Sequence, residues 1–263
     1  MNIFVIGNRG EGKSTLSLFL AKRIQERRNA LVIPIFDPKR TFNSVPHSSD
    51  LGVFEDMLEN PPAQAISYQP MDLETENDED EMAEEFSAFF DTLGINYHLG
   101  VREGAIRANL RPVILIVDEA WFLQGGMKAH PKLRKVVRLA DIKNFYLIQA
   151  SHRPKDFATR IRFQVDELFL MRQWLPEDIE IIREWCGNEV AQIVNSLPPH
   201  NVVRYEMATR KFEVWSHPEA WYENISGDSN NDDEISNGGE DGGGSSDDDS
   251  SDEETNSIRT TAS

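Results

Sequence analysis

The start of the chain carries the feature that most limits how it can fold. A short apolar run, residues 3–6, leads directly into a G-x-x-x-x-G-K-S pattern over residues 7–14. The run predicts a β-strand over residues 2–6, and the residues after the pattern predict a helix over 13–28. Such a loop between strand and helix is typical of triphosphate binding, since its backbone N–H groups surround an anion at the positive helix end. The predicted nucleotide contacts are Gly7, Asn8, Arg9, Gly10, Glu11, Gly12, Lys13, Ser14 and Thr15.

Two side chains of this loop have separate predicted tasks. Lys13 is long enough to reach the outer phosphates, where its charge offsets theirs. The Ser14 hydroxyl is a suitable ligand for the Mg²⁺ ion that accompanies triphosphates in such sites. The loop therefore predicts ATP and Mg²⁺ as cofactors.

Charge is distributed unevenly along the 263 residues. Residues 225–263 contain 12 acidic residues and 1 basic residue, so residues 1–224 carry only −7 of the total charge of −18. The tail consists mainly of Ser, Gly, Asn and Asp and has almost nothing apolar to bury. We predict one P-loop ATPase domain over residues 1–224 and a disordered acidic tail over residues 225–263.

The sequence has no sign of membrane insertion or secretion. No apolar run approaches the roughly 18 residues that span a bilayer, and the chain opens on its first strand rather than on a leader. The single cysteine, Cys186, has no partner for an internal disulfide and no zinc ligands at the usual spacing. These features predict a soluble, non-secreted protein from a reducing compartment.

Predicted strands and helices alternate through the rest of the domain. Strands are expected at residues 30–36, 65–68, 113–117, 145–150 and 165–171, with a final hairpin over 202–207 and 211–215. Helices are expected at residues 51–59, 82–93, 131–142 and 176–185. Pro34 predicts that the second strand lies at a sheet edge, because proline cannot donate to a strand ladder. The alternation predicts an α/β fold with a layered, mainly parallel central sheet and a C-terminal hairpin. With the G-x-x-x-x-G-K-S loop and the motifs described next, the expected class is a three-layer P-loop NTPase of the RecA-like ASCE type.

A second motif indicates the reaction. The apolar run 113–117 ends in Asp118 and Glu119, and an uninterrupted apolar strand is typical of a parallel strand buried on both faces. At the tip of that strand, Asp118 is predicted to hold Mg²⁺ through water, and Glu119 to polarise the water that attacks the γ-phosphate. A small-molecule kinase must exclude water, so Glu119 favours ATP hydrolysis.

Polar residues also follow the next buried strand. Ser151, His152 and Arg153 reach the carboxyl edge of the sheet, where ligands of open α/β sheets bind. A polar side chain there could contact the γ-phosphate and report its loss, and Gln149 and His152 are the candidates, with Ser151 as a third. Arg153 and Pro154 have a simpler interpretation, in which the proline ends the strand and the arginine is a surface cation without a role in the site.

Together these motifs resemble the FtsK–HerA superfamily of DNA-pumping ATPases. The resemblance extends over most of residues 1–215 and rests on the loop lysine, on the Asp37-Pro38-Lys39 segment, on the strand ending at Glu119 and on residues 150–154. In that superfamily the sensor strand ends in Thr or Ser, then Gln, then Arg-Pro, with the Gln sensing the γ-phosphate. His152 stands at the Gln position in this chain.

The downstream segments point to one branch of the superfamily. Residues 166–172 and 176–179 are similar to the compact viral branch, which comprises genome-packaging ATPases of internal-membrane viruses and Zot-like phage ATPases. Zot-like proteins carry a membrane segment, and none is predicted here. The resemblance therefore favours genome packaging.

The resemblance also implies an assembly and its partners. It implies a homo-oligomeric ring, commonly a hexamer, in which an arginine of one subunit completes the ATP site of the next. In the helix predicted over 131–142, Arg138 is nearest to the superfamily's finger position, and Arg134 is the second candidate. Double-stranded DNA is the implied substrate, capsid or portal-vertex proteins are further implied partners, and the implied location is the host cytoplasm or the virion.

The overall charge bears on DNA binding and leaves alternatives open. An acidic domain does not attract DNA through its overall field, so binding would depend on basic residues that converge in a pore. One alternative is a Zot-like phage assembly or export ATPase, and another is a slow ATP-dependent switch or scaffold. The candidate pore residues are Arg102, Arg107, Arg111, Lys128, Lys132 and Lys155.

Overall fold

The computed structural model describes residues 1–28, 30, 32–70, 78–96, 112–120, 145–157 and 164–216. They all belong to the first of two units, Met1–Ser226, and the second unit, Gly227–Ser263, lies outside the described residues. The boundary at residue 224, the acidic tail and the helix over 131–142 therefore stay predictions.

Nine strands form one sheet in the described part of the chain. They are β1 (Asn2–Ile6), β2 (Ile33–Phe36), β3 (His47–Ser48), β4 (Ala65–Tyr68), β5 (Val113–Val117), β6 (Phe145–Ser151), β7 (Glu167–Met171), β8 (Val202–Glu206) and β9 (Phe212–Trp215). Their order in the sheet is β3-β4-β2-β5-β6-β1-β7-β8-β9. Strands β1 to β7 pair in parallel, and β8 and β9 add an antiparallel hairpin at one edge. The predicted mainly parallel sheet with a terminal hairpin is confirmed.

Helices cover both faces of this sheet. Among the described residues they are α1 (Lys13–Arg28), α2 (Leu51–Glu59), α3 (Asp78–Asn96), α4 (Pro176–Cys186) and α5 (Asn188–Ser196). Successive strand side chains point to opposite faces. Accordingly, Ile3 and Val5 pack in the cluster that contains α1, whereas Phe4 and Ile6 pack in the cluster with the other helices. The three layers expected from the alternating pattern are present, and none of the described helices is long and apolar enough to cross a bilayer.

The prediction for Pro34 is wrong, because β2 lies inside the sheet between β4 and β5. The N–H of Ile33 donates to Gln64 O of the β4 side at 2.9 Å, and N–H groups alternate between the two sides of a strand. The Pro34 nitrogen therefore faces β5. Pairing with β5 begins only at Ile35, so no ladder bond is lost at the proline.

Among the described strands and α-helices, two short ones were not predicted, and both have weak sequence patterns. Strand β3 has only two residues, and α5 follows α4 directly after Gly187, whose φ of 94° ends one helix and starts the next. The predicted packing of α3 is confirmed by the buried side chains of Met82, Phe86 and Leu93.

The order of the central strands determines where the motifs meet. Strand β6 lies between β1 and β5, with Ile6 beside Ser151 and Val117 beside Gln149. The three strands are parallel, so their carboxyl ends lie at the same edge of the sheet. The glycine-rich loop, the two carboxylates and the polar end of β6 follow these ends directly.

Candidate functional site

A cleft of about 730 Å³ opens at this edge of the sheet. It brings together the predicted loop, the carboxylate pair and one of the sensor candidates. Its lining residues are Arg9, Gly10, Gly12, Lys13, Ser14, Thr15, Lys39, Thr41, Asp118, Glu119, His152 and His200.

Glycine is required at both ends of the loop for different reasons. A Cβ on Gly7 would lie 2.7 Å from the Met171 Cβ, so only glycine allows the loop to leave β1 so close to β7. Gly12 has a φ of 95°, a conformation that L-residues with a Cβ rarely adopt. Its carbonyl accepts the N–H of Leu16 at 2.9 Å, which closes an early turn of α1. The loop backbone is thereby held at the helix N-terminus.

Two loop side chains face the protein rather than the cleft. The Glu11 carboxylate forms an ion pair with Arg172 at 2.7 Å and accepts the backbone N–H of His200 at 3.2 Å. The Asn8 amide donates to the Arg172 carbonyl at 2.7 Å. These bonds fasten the loop to the segment after β7, so Asn8 and Glu11 offer a nucleotide only their backbone groups.

Lys13 projects into the cleft, where its ammonium has partners on both sides. Its Nζ donates to the Asn8 carbonyl at 3.2 Å and lies 3.0 Å from His152 Nδ1. Burial lowers the pKa of Lys13, while the nearby carboxylates of Glu119, Asp118 and Glu11 oppose that shift. The ammonium is thus partly stripped of water and close to its carboxylate neighbours.

Glu119 is held against His152 by an unusual backbone conformation. Its φ of 52° lies in the left-handed region, which is costly for a residue other than glycine and is often found at functional sites. Its Oε1 lies 2.6 Å from His152 Nε2. Because an ammonium can only donate, His152 Nδ1 accepts a hydrogen bond from Lys13, and Nε2 therefore carries the ring hydrogen and donates a hydrogen bond to Glu119. A chain of hydrogen bonds therefore links Lys13, His152 and Glu119.

Asp118 is buried at the bottom of the cleft, with a side chain that accepts a hydrogen bond from the Thr41 hydroxyl at 2.6 Å. Burial raises the pKa of Asp118 to about 6, although the Thr41 bond and Lys13 act in the opposite direction. The charged form of this carboxylate is therefore poorly solvated. A buried carboxylate of this kind is well suited to a nearby cation.

The donor set fits Mg²⁺. Ser14 and Asp118 line the same cleft and offer only oxygen, the ligand that Mg²⁺ prefers. Within the described ranges, no group of three or more His, Cys, Asp or Glu could hold a metal ion by itself. In magnesium–nucleotide sites, one or two protein ligands are supplemented by water and substrate phosphates.

The structure separates the sensor candidates. Gln149 does not line the cleft, because its side chain is fully buried and donates to Asn2 Oδ1 at 2.8 Å, toward the opposite end of β1. Ser151 is also fully buried, and its carbonyl accepts the N–H of Gly7 at 3.2 Å. Only His152 of the three reaches the cleft, so it is the sensor candidate that we retain.

Arg153 is not a surface cation. Its Nε donates to Asp178 of α4 at 2.8 Å, and Asp178 is completely buried. A second bond joins its guanidinium to Glu177, which also accepts from Lys155 at 3.2 Å. Lys155, a candidate for the pore, is thus paired at the start of α4. The other pore candidates and both finger candidates, Arg134 and Arg138, lie outside the described residues.

Three cleft residues were missed as site residues. Lys39 follows the Asp37-Pro38 pair, and that pattern could have identified it. No sequence pattern around Thr41 or His200 predicts a site residue, because each lies in a loop whose course in the folded chain brings it to the cleft. His200 Nδ1 donates to the Glu11 carbonyl at 3.2 Å and closes the cleft beside Gly12.

Comparison with known proteins gives matches among solved structures. No family model matches the sequence, and neither does any curated protein. The genome packaging NTPase B204 from Sulfolobus turreted icosahedral virus 2, in complex with ATP-gammaS, superposes with a TM-score of 0.61 at 14% identity, over 82% of this chain and 96% of that chain. The fold is that of a P-loop ATPase.

Two further structures share this P-loop ATPase fold. B204, the DNA-packaging ATPase from Sulfolobus turreted icosahedral virus, has a TM-score of 0.62 at 13% identity, over 82% of this chain and 97% of that chain. VirB4 of Thermoanaerobacter pseudethanolicus has a TM-score of 0.58 at 13% identity, over 84% of this chain and 91% of that chain. The fold expected from the FtsK–HerA resemblance, and from its viral packaging branch, is confirmed.

Proposed function

We propose that this protein is a Mg²⁺-dependent ATPase of the FtsK–HerA superfamily that drives double-stranded DNA into a viral capsid. The observation that carries the proposal is the meeting of Lys13, Asp118, Glu119 and His152 in one cleft. The fold shared with B204 supports packaging as the task. On this proposal the protein works as a homo-oligomeric ring, in the host cytoplasm or at the packaging vertex of the virion.

Nucleotide binding begins at the loop. Its backbone N–H groups and the N-terminus of α1 stabilise the phosphates, and Arg9 and Lys39 add positive charge at the cleft wall. Lys13 exchanges the Asn8 carbonyl and His152 for phosphate oxygens. Because its ammonium is already partly desolvated, little further solvent has to be removed.

Ser14 and Asp118 would hold Mg²⁺, which when bound neutralises charge on the β- and γ-phosphates. Glu119 orients a water molecule and accepts its proton as the water oxygen attacks the γ-phosphorus. The bond to the bridging oxygen breaks, and ADP and inorganic phosphate result. A glutamate held in place by His152 is ready for this role, since its carboxylate already lies in the cleft.

His152 is the proposed γ-phosphate sensor. Its ring joins Lys13 to Glu119, so withdrawal of Lys13 to a phosphate removes one of its two partners. The backbone of the same residue is tied to the segment before α4, because Gln173 donates to the His152 carbonyl at 3.0 Å. Arg153 adds the ion pair to Asp178. Movement of His152 is therefore transmitted to α4.

The proposal is tested by ATP turnover with and without duplex DNA. We expect Mg²⁺-dependent hydrolysis that linear double-stranded DNA stimulates several-fold, because a translocating motor couples its cycle to the substrate. Hydrolysis that DNA leaves unchanged would contradict the packaging role and favour an assembly or export ATPase. Binding of ATP with negligible turnover in both conditions would favour a switch or scaffold.

The trans arginine is tested by mixing two inactive variants. If Arg138 acts across an interface, rings of mixed Arg138→Ala and Glu119→Gln subunits will contain interfaces with an intact arginine and an intact glutamate. Random mixing makes these about a quarter of the interfaces, so part of the activity should return. Turnover no higher than that of either variant, in rings verified by light scattering, would exclude Arg138; Arg134→Ala is then tested in the same way.

A further inference from the structure

The loop after β2 contributes to the cleft through a network centred on Asp37. This carboxylate is completely buried and lies at the end of β2. Its Oδ1 accepts the N–H of Thr41 at 2.9 Å, and its Oδ2 accepts the N–H of Phe42 and the amide of Gln69, both at 3.0 Å. The path of residues 37–42 is therefore held by one side chain, and Thr41 is held with it.

The hydroxyl of Thr41 lies between two carboxylates. Its Oγ1 is 2.6 Å from Asp118 Oδ2 and 3.0 Å from Asp37 Oδ1. A hydroxyl has one proton to donate. Asp37 already accepts three other donors, and the contact to Asp118 is the shorter one, so the geometry assigns the proton to Asp118.

We propose that Thr41 is a positioning residue for Asp118, anchored by Asp37, and that it sets the affinity of the site for Mg²⁺ in the nucleotide complex. This inference rests on the proposed ATPase function. With Oδ2 of Asp118 held by the hydroxyl, the carboxylate cannot rotate freely, and its other oxygen is left for the ion or the ion's water. Partners that orient a metal-binding side chain typically change metal affinity by about 10–100-fold when removed.

The variant Thr41→Val tests the proposal, because it removes the hydroxyl and keeps the branched shape. Affinity for a fluorescent ATP analogue is measured by titration in EDTA and at increasing Mg²⁺ concentrations. We expect the Mg²⁺ concentration for half-maximal enhancement of binding to rise at least about 10-fold. Affinity in EDTA should stay within about two-fold, since Thr41 acts through Asp118 and not on the phosphates.

Two control variants are measured alongside Thr41→Val. Thr41→Ser restores a hydroxyl on the same loop and should return the Mg²⁺ requirement to near the wild-type value. Thr92→Val is the same substitution on α3, where the hydroxyl donates to Ala88 O of its own helix at 3.1 Å, and it should leave the Mg²⁺ requirement unchanged. Circular dichroism and thermal melting verify that each variant is folded, and Thr41→Ala replaces Thr41→Val if the valine does not fit.

The outcomes separate this inference from the proposed function. A wild-type protein that does not bind the ATP analogue would overturn the ATPase proposal itself. Nucleotide binding with the same Mg²⁺ requirement in wild type and in the folded hydroxyl-free variant would overturn the role of Thr41 alone. An equal loss of affinity in EDTA and in Mg²⁺, or a Thr41→Ser variant that behaves like Thr41→Val, would also overturn it, since either result indicates a general disturbance of the cleft.

Discussion

The variant Glu119→Gln is expected to bind ATP and to hydrolyse it about 10²–10⁴ times more slowly than the wild type. Glutamine has nearly the same size as glutamate, and its carbonyl oxygen can still accept the hydrogen bond that His152 Nε2 donates, so the cleft should keep its shape. An amide cannot take a proton from water, however. The variant should therefore lose the chemical step and keep the binding step.

The comparison with Lys13→Ala makes this prediction specific. Removing the ammonium takes away a cation that lies within the cleft, so this variant should lose affinity for ATP as well as turnover. Binding is measured with a fluorescent ATP analogue, and turnover is measured by phosphate release under saturating ATP. A wild-type rate of release from Glu119→Gln would disprove its assignment as the base. Weak binding by that variant would mean that Glu119 is needed for the structure of the site.

The variant Arg153→Met is expected to lower the free energy of unfolding by about 3 kcal/mol. Its guanidinium is bonded to Asp178 at 2.8 Å, and Asp178 is completely buried. Losing the arginine leaves a buried carboxylate without its cation, which typically costs about 3–5 kcal/mol. The lower end of that range applies, because Asp178 lies in the first turn of α4, where the helix dipole still stabilises negative charge.

Urea unfolding monitored by circular dichroism provides the measurement. Arg183→Met is the matched control, because Arg183 pairs with Glu180 on the exposed surface of the same helix and should contribute at most about 1 kcal/mol. Adding Asp178→Asn to Arg153→Met removes the stranded charge and should recover part of the loss. Equal effects of Arg153→Met and Arg183→Met would show that Arg153 does not stabilise the buried Asp178 carboxylate in solution.

Much of the site was predictable because its chemistry lies in short segments. The loop from Gly7 to Ser14 places its glycines, lysine and serine at fixed separations, and this spacing alone predicts an anion site next to a helix. Asp118 and Glu119 follow a fully apolar strand, so their position at the carboxyl end of a buried strand was evident. Local sequence determines features of this kind, since they involve neighbours along the chain.

Tertiary structure decided which side chains share the cleft. Gln149 and His152 are three residues apart on one segment, yet hydrogen bonding to Asn2 takes the first away from the site, and Lys13 and Glu119 hold the second within it. No local pattern distinguishes these outcomes, because each depends on partners more than 30 residues away. Likewise, no local pattern shows that Pro34 is tolerated inside the sheet, because this depends on the pairing between β2 and β5, which begins only at Ile35.

Thr41, His200 and Arg153 are the clearest cases of this dependence. Thr41 meets Asp118 across 77 positions of sequence, and His200 meets Glu11 across 189. Arg153 has the pattern of a strand end, but it becomes the cationic partner of the buried Asp178 once α4 packs beside it. The sequence by itself determined the phosphate loop, the apolar strands and the carboxylate pair, because propensity and spacing act locally. The partners of those groups depended on the order of strands in the sheet, which only the folded chain defines.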